Sequence, residues 1–206
     1  MTARFITIEG IEGAGKTTSI NFISHYIENK GKKLVTTREP GGTELGEQVR
    51  ALLLSHRLNA MTADTETLLM FAARAQHLHQ VIRPALAAGH WVLSDRFTDA
   101  SYAYQGGGRG ISAERIAVLE DWVQDGLRPD LTLLMDLPAA LGLQRAHRRS
   151  LPDRFESEQL AFFERVREAY LGQAQRHPHR YRVIDASQPL DAVRQQIAQA
   201  LDSFFS

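Results

Sequence analysis

The stretch "EGIEGAGKTT" at residues 9–18 follows the short apolar run "RFITI", and no other part of the chain narrows the possible folds as much. Gly10-Ile11-Glu12-Gly13-Ala14-Gly15-Lys16-Thr17 matches G-x-x-x-x-G-K-[ST], with a strand pattern before it and a helix pattern after it. Glycines let the backbone curl with its N–H groups turned inward, and the start of the following helix adds partial positive charge. The loop, with Thr18 at its exit, is therefore expected to cradle a polyphosphate. Lys16 should reach the outer phosphates, and Thr17 should offer its hydroxyl to Mg2+. The plainer alternative is a glycine-rich turn that binds nothing, and the flanking strand and helix argue against it.

The rest of the chain repeats the same alternation. Apolar runs of strand length at 4–9, 34–38, 90–95, 131–136 and 181–185 are separated by helical patterns at 16–29, 64–88, 113–124, 137–149, 156–175 and 190–205, with a further helix carrying Arg50 after the second strand. Runs such as "WVLSD" and "LTLLMD" lack polar alternation, as strands covered on both faces do. The pattern predicts an α/β chain, a three-layer P-loop NTPase fold with about five parallel strands flanked by helices. Asp64 is expected to cap the long helix and Pro84 to kink it. No repeat, linker or low-complexity tract divides residues 1–206, so one domain is expected.

Ligands in such sheets sit outside the carboxyl ends of the strands. Asp95-Arg96 closes the third apolar run, where an acid can hold Mg2+ and an arginine can grip a phosphate by two parallel bonds. A structural ion pair is the alternative there. Neither a D-x-x-G switch nor an N-K-x-D motif occurs, as a signalling GTPase would need, and no L-S-G-G-Q-like string marks an ABC-type ATPase. A small-molecule kinase using ATP is the favoured class. Another nucleoside monophosphate kinase, a deoxynucleoside kinase, or a slow ATP-hydrolysing switch stays open on these residues alone.

Together with the phosphate loop, "TREPGGT" (37–43), "FAARAQH" (71–77), "SDRFTDASYAYQGGGRG" (94–110) and "RPDLTLLMDLP" (128–138) closely resemble the bacterial thymidylate kinase family over essentially the whole chain. The resemblance implies transfer of the γ-phosphoryl group of ATP to dTMP. It places Glu39 and Pro40 beside the acceptor nucleotide, with Arg50 as a second phosphate clamp. Arg74 would bond the thymine, and an aromatic would stack on it. Many relatives carry that aromatic four residues before the arginine, where this chain has Met70, so Met70 and Phe71 are both candidates to cover the base. Ser101 and Gln105 would lie near the base edge and Tyr104 under the sugar. Glu12 would face the acceptor, at its 3'-hydroxyl. A homodimer packed through helices is implied as well.

A basic run, "RAHRRSLPDR" at 145–154, falls where the family has its lid, here about 145–156. Members without a basic residue inside the phosphate loop bring arginines from the lid to the transferring group, and this chain matches that subtype. Arg149 is the best-matched catalytic candidate and Arg148 the next. Arg145 or Arg154 would hold adenine or the closed lid. Lys+Arg and Asp+Glu balance at 24 each, so no general basic field favours nucleic acid. The absence of cysteine rules out disulfides and thiolate metal sites. No run approaches the about 18 apolar residues of a membrane span, and the opening "MTARFITIEG" lacks a secretory apolar segment, so a cytoplasmic protein is expected.

Overall fold

The computed structural model describes residues 3–55, 61–147, 154–156 and 158–205. Five strands form one sheet: β1 (Phe5–Glu9), β2 (Leu34–Arg38), β3 (Trp91–Asp95), β4 (Leu131–Asp136) and β5 (Tyr181–Asp185). Their order is β2-β3-β1-β4-β5, and every neighbouring pair is parallel. The three central strands β3, β1 and β4 are buried almost throughout, which is why their sequences are mainly apolar, with only Thr7, Glu9, Ser94 and Thr132 as fully buried polar residues. The edge strands β2 and β5 mix buried or half-buried positions with exposed ones.

The flanking helices are α1 (Lys16–Asn29), α2 (Glu44–Leu54), α3 (Ala63–His77), α4 (Arg83–Ala87), α5 (Thr98–Ser101), α6 (Ala113–Gln124), α7 (Ala139–His147), α8 (Leu160–Arg176) and α9 (Leu190–Phe205). The expected helix over 64–88 is interrupted. α3 passes into a π-helical turn at Leu78–Ile82, and α4 follows it with Pro84 in its first turn. Proline has no N–H to give and its ring crowds the preceding turn, so the wider π turn absorbs it where a kink was expected. The cap of α3 is Thr62, whose side chain accepts the Thr65 N–H at 3.2 Å, while Asp64 pairs instead with Arg115 of α6. The helix expected at 137–149 begins at Ala139, and Arg148 and Arg149 lie outside the described residues. The helix expected at 156–175 starts at Leu160, after an extended Gln159.

A second π-helical segment, Tyr102–Gly108, ends in three glycines, the last two of which, Gly107 and Gly108, are pressed against α8. A Cβ on Gly107 would lie 2.6 Å from that of Ala169, and one on Gly108 would lie 2.5 Å from the Phe162 ring. Only glycine lets the two segments approach so closely, and this packing carries Tyr104 and Gln105 to the carboxyl edge of the sheet.

Candidate active site

A cavity of about 210 Å³ opens at the carboxyl ends of β1, β2 and β3. Its floor is the loop from β1 to α1. Gly13 holds a φ of +73° and packs so tightly on α7 that a Cβ would lie 2.0 Å from the Gly142 carbonyl oxygen. Glu12, Gly13, Ala14, Gly15, Lys16 and Thr17 line the cavity. Gly10 and Ile11 do not: Gly10 is buried against Met135 and the Ile11 side chain belongs to the core, so their share in the site is their carbonyl oxygens. Thr18 is exposed on α1, one residue beyond the lining.

The Lys16 ammonium donates to the carbonyls of Gly10 at 2.9 Å and Ile11 at 3.0 Å. Burial, with the charge of Arg96 adding, pushes its pKa down to about 8, against the pull of Asp95, Glu12 and Glu9. Asp95 and Thr17 line the same wall, and the buried Oδ1 of Asp95 has no hydrogen-bond partner. One carboxylate and one hydroxyl beside a phosphate loop are the hard oxygen donors that suit Mg2+, which completes its shell with water and phosphate oxygens. No group of three His, Cys, Asp or Glu among the described residues forms an all-protein metal cage.

Arg96 follows β3 with a φ of +70°, a backbone conformation that costs a non-glycine residue about 1–3 kcal/mol and persists only where the surroundings enforce it. Its guanidinium donates to Glu12 Oε1 at 2.8 Å and to the Tyr170 hydroxyl at 3.4 Å, and sits 4.6 Å from the Tyr104 ring centre. The Tyr104 hydroxyl donates to the other Glu12 oxygen at 2.6 Å. Glu12, the acid inside the phosphate loop, thus clasps the arginine across the cavity. Behind it lies buried Glu9, which accepts the Phe97 N–H and the Tyr170 hydroxyl, both at 2.7 Å, and fixes the turn that carries Arg96. Burial, with nearby Asp99 adding, pushes the Glu9 carboxyl up to about 8.

The opposite wall holds Glu39, Pro40, Arg50, Met70, Arg74, Ser101 and Gln105. Arg74 is 2 % exposed, donating through Nε to Glu39 at 2.7 Å and through Nη2 to Ser101 and the Phe97 carbonyl, while its Nη1 has no hydrogen-bond partner. Glu39 also bonds His77, and the Pro40 carbonyl accepts Arg50 at 3.0 Å. The carboxylate of Glu39 is therefore a brace for Arg74. Of the two candidates to cover a base, Met70 lines the cavity, whereas Phe71 is buried away from it with its ring 4.5 Å from the Arg74 guanidinium. A helix turns successive residues by about 100°, and only one of the two can face the cavity.

Arg145 lies outside this cavity and donates to the Ala186 and Ser187 carbonyls after β5. Arg154 donates to Glu66 and to the Leu53 carbonyl, tying the end of the basic run to α3 and α2. Glu9, Tyr170, His77 and Glu66 escaped the reading of the sequence. Their only local signal was a polar residue within an apolar pattern.

The family profile described as Thymidylate kinase matches residues 8–197. The chain belongs to the thymidylate kinase family. It is 61% identical over 197 residues to a thymidylate kinase of Pseudomonas putida (strain GB-1), covering 96% of this chain and 94% of that one. It is 58% identical over 201 residues to that of Thiobacillus denitrificans, covering 98% and 97%. The crystal structure of thymidylate kinase from Ehrlichia chaffeensis superimposes with a TM-score of 0.80 at 34% identity, covering 98% of this chain and 99% of the other. Membership makes this chain an enzyme that phosphorylates dTMP to dTDP with ATP and Mg2+. Among the described residues, no helix of this family member is long and apolar enough to cross a membrane.

Proposed function

We propose that the cavity holds dTMP against the β2, α3 and π-segment wall and ATP on the phosphate loop, so that the two phosphate ends meet between Lys16 and Arg96. The observation that carries this reading is a pair of buried, unpartnered polar atoms on one wall, the Arg74 Nη1 donor and the Gln105 Oε1 acceptor. The thymine edge offers their complements, an N3–H and the C4 carbonyl. A cytosine edge reverses both.

Lys16 and the loop N–H groups bind the donor phosphates. Thr17 and Asp95 would hold Mg2+, which would supply positive charge beside the transferring group. Arg96 and Arg50 orient the acceptor phosphate, whose second pKa near 6 leaves it an anion at neutral pH, so no general base is required. Glu12 orients Arg96 and keeps lone pairs for the sugar 3'-hydroxyl. Tyr104 lies beneath the sugar, where its ring crowds a ribose 2'-hydroxyl. Arg149 and Arg148 of the lid bring further positive charge to the transferring phosphoryl group, an effect worth roughly 10³–10⁵ in rate where it is known.

Residues 1–206 act as one cytoplasmic kinase domain, and two copies pair through the outer face of α3 and α6. Leu68 and Val118 are exposed there one turn beyond the Asp64–Arg115 ion pair, and Trp122 a further turn along α6. A panel of dTMP, dUMP, dCMP, dGMP, AMP and thymidine with MgATP tests the base-edge reading. We expect kcat/KM for dCMP to lie on the order of 10⁴ below that for dTMP, and dUMP, which lacks one methyl, only about 10–200-fold below. Equal turnover of dCMP would refute it.

A further inference from the structure

Gln105 does not choose by itself which end of its amide meets a ligand. The side-chain nitrogen donates at 2.9 Å to Oε1 of Glu66, in the first turn of α3. Glu66 is 1 % exposed and does not line the cavity. Its other oxygen accepts Arg154 Nη2 at 2.6 Å, and Arg109 Nε lies 3.3 Å from that same oxygen. A carboxylate between two guanidinium groups offers acceptor lone pairs alone, so only the NH2 end of a neighbouring carboxamide can face it. Turning the Gln105 amide over would set oxygen against oxygen in a buried site. The carboxamide oxygen is therefore left pointing elsewhere, and it is the buried atom without a partner.

We propose that Glu66 is a specificity-determining positioning residue: by holding the nitrogen of Gln105 it forces an acceptor toward the base, so that the cavity takes a pyrimidine with N3–H and rejects one with a bare N3. The proposal rests on the reading that Gln105 faces the base edge. Were position 66 a neutral amide, either orientation of Gln105 could be satisfied, and the cavity would present donor or acceptor alike. The buried acid, outside the cavity lining, would set the selectivity of a reaction it never touches.

The test compares kcat/KM for dTMP and dCMP in the wild type, in Glu66→Gln and in the reciprocal pair Glu66→Gln with Gln105→Glu. In the single variant we expect the dTMP:dCMP ratio to fall tenfold or more, about the cost of one mismatched buried hydrogen bond, mainly through a higher KM for dTMP. The reciprocal pair restores an acceptor-only group at 105 facing an amide at 66, and should recover most of the ratio. A merely structural role for Glu66 would lower both activities together and would not be rescued. A folded Glu66→Gln protein with an undiminished ratio overturns the proposal. A wild type that does not prefer dTMP over dCMP overturns the reading of the cavity itself. If Glu66→Gln fails to fold, NMR of the wild type with nitrogen-labelled glutamine decides. The Gln105 amide protons, assigned by their loss in Gln105→Ala, should exchange slowly in the free protein, and fast exchange of both would overturn the proposal.

Discussion

Lys16 gives the most quantitative handle on the site, because the loop that holds it also strips it of solvent. In the free protein its pKa is about 8, down from 10.5, with burial the main cause and Arg96 the next. Polyphosphate supplies the missing counter-charge and restores the protonated amine. Binding of ATP must therefore take up a proton whenever the pH exceeds the free-protein pKa. Below about pH 7.5 the lysine is already charged and contributes no pH dependence. Each unit above 8 costs about 1.4 kcal/mol, a tenfold loss of affinity, until the pKa of the bound form is reached. For the fold alone the sign is reversed: the folded free protein prefers the neutral amine, so this group adds stability as pH rises from about 8 toward 10.5. Calorimetric titration with MgATP at pH about 7, 8 and 9, in buffers of different ionisation enthalpy, reads both quantities. The expected result is constant affinity to about 8, a roughly tenfold drop by 9, and proton uptake approaching one per ATP, all absent in Lys16→Met. Constant affinity across this range with buffer-independent heats would refute the argument that burial depresses Lys16.

Met70→Ala should raise KM for dTMP at modest cost in stability, whereas Phe71→Ala should cost about 3–5 kcal/mol by urea unfolding; the reverse pattern would mean that Phe71, not Met70, faces the base. Gly142→Ala sets a gain of about 1 kcal/mol in helix propensity against a Cβ placed 2.6 Å from the Glu12 carbonyl oxygen. Overpacking against backbone costs about 1–3 kcal/mol, so the urea midpoint should fall and KM for ATP rise as the phosphate loop is pushed. A more stable variant with unchanged KM would show that α7 does not press on the loop. Trp122→Glu, on the exposed face of α6, should give a monomer in analytical ultracentrifugation; a wild type that is already monomeric would remove the dimer reading.

The strands and the phosphate loop were legible because their causes are local. The buried strands β1, β3 and β4 need apolar residues at most positions, and a polyphosphate cradle needs glycines, lysine and threonine at fixed spacing. Arg96 and Arg74 were legible through family motifs. Their braces were not: the bond from Tyr170 to Glu9 spans 161 residues and that from Gln105 to Glu66 spans 39. No periodicity connects such partners, and a lone buried acid leaves the same trace in a sequence as a solvated one. Pro84 announced a break in the long helix without saying that a π turn would accompany it, and the π segment at Tyr102–Gly108 had no such signal. The alternation of strands and helices with one phosphate loop thus set the architecture and the class of chemistry through short-range spacing. Which of Met70 and Phe71 faces the cavity, how Glu12 clasps Arg96, and which atom of Gln105 is left for the base were decided by tertiary packing, because each depends on what a distant segment places against the side chain.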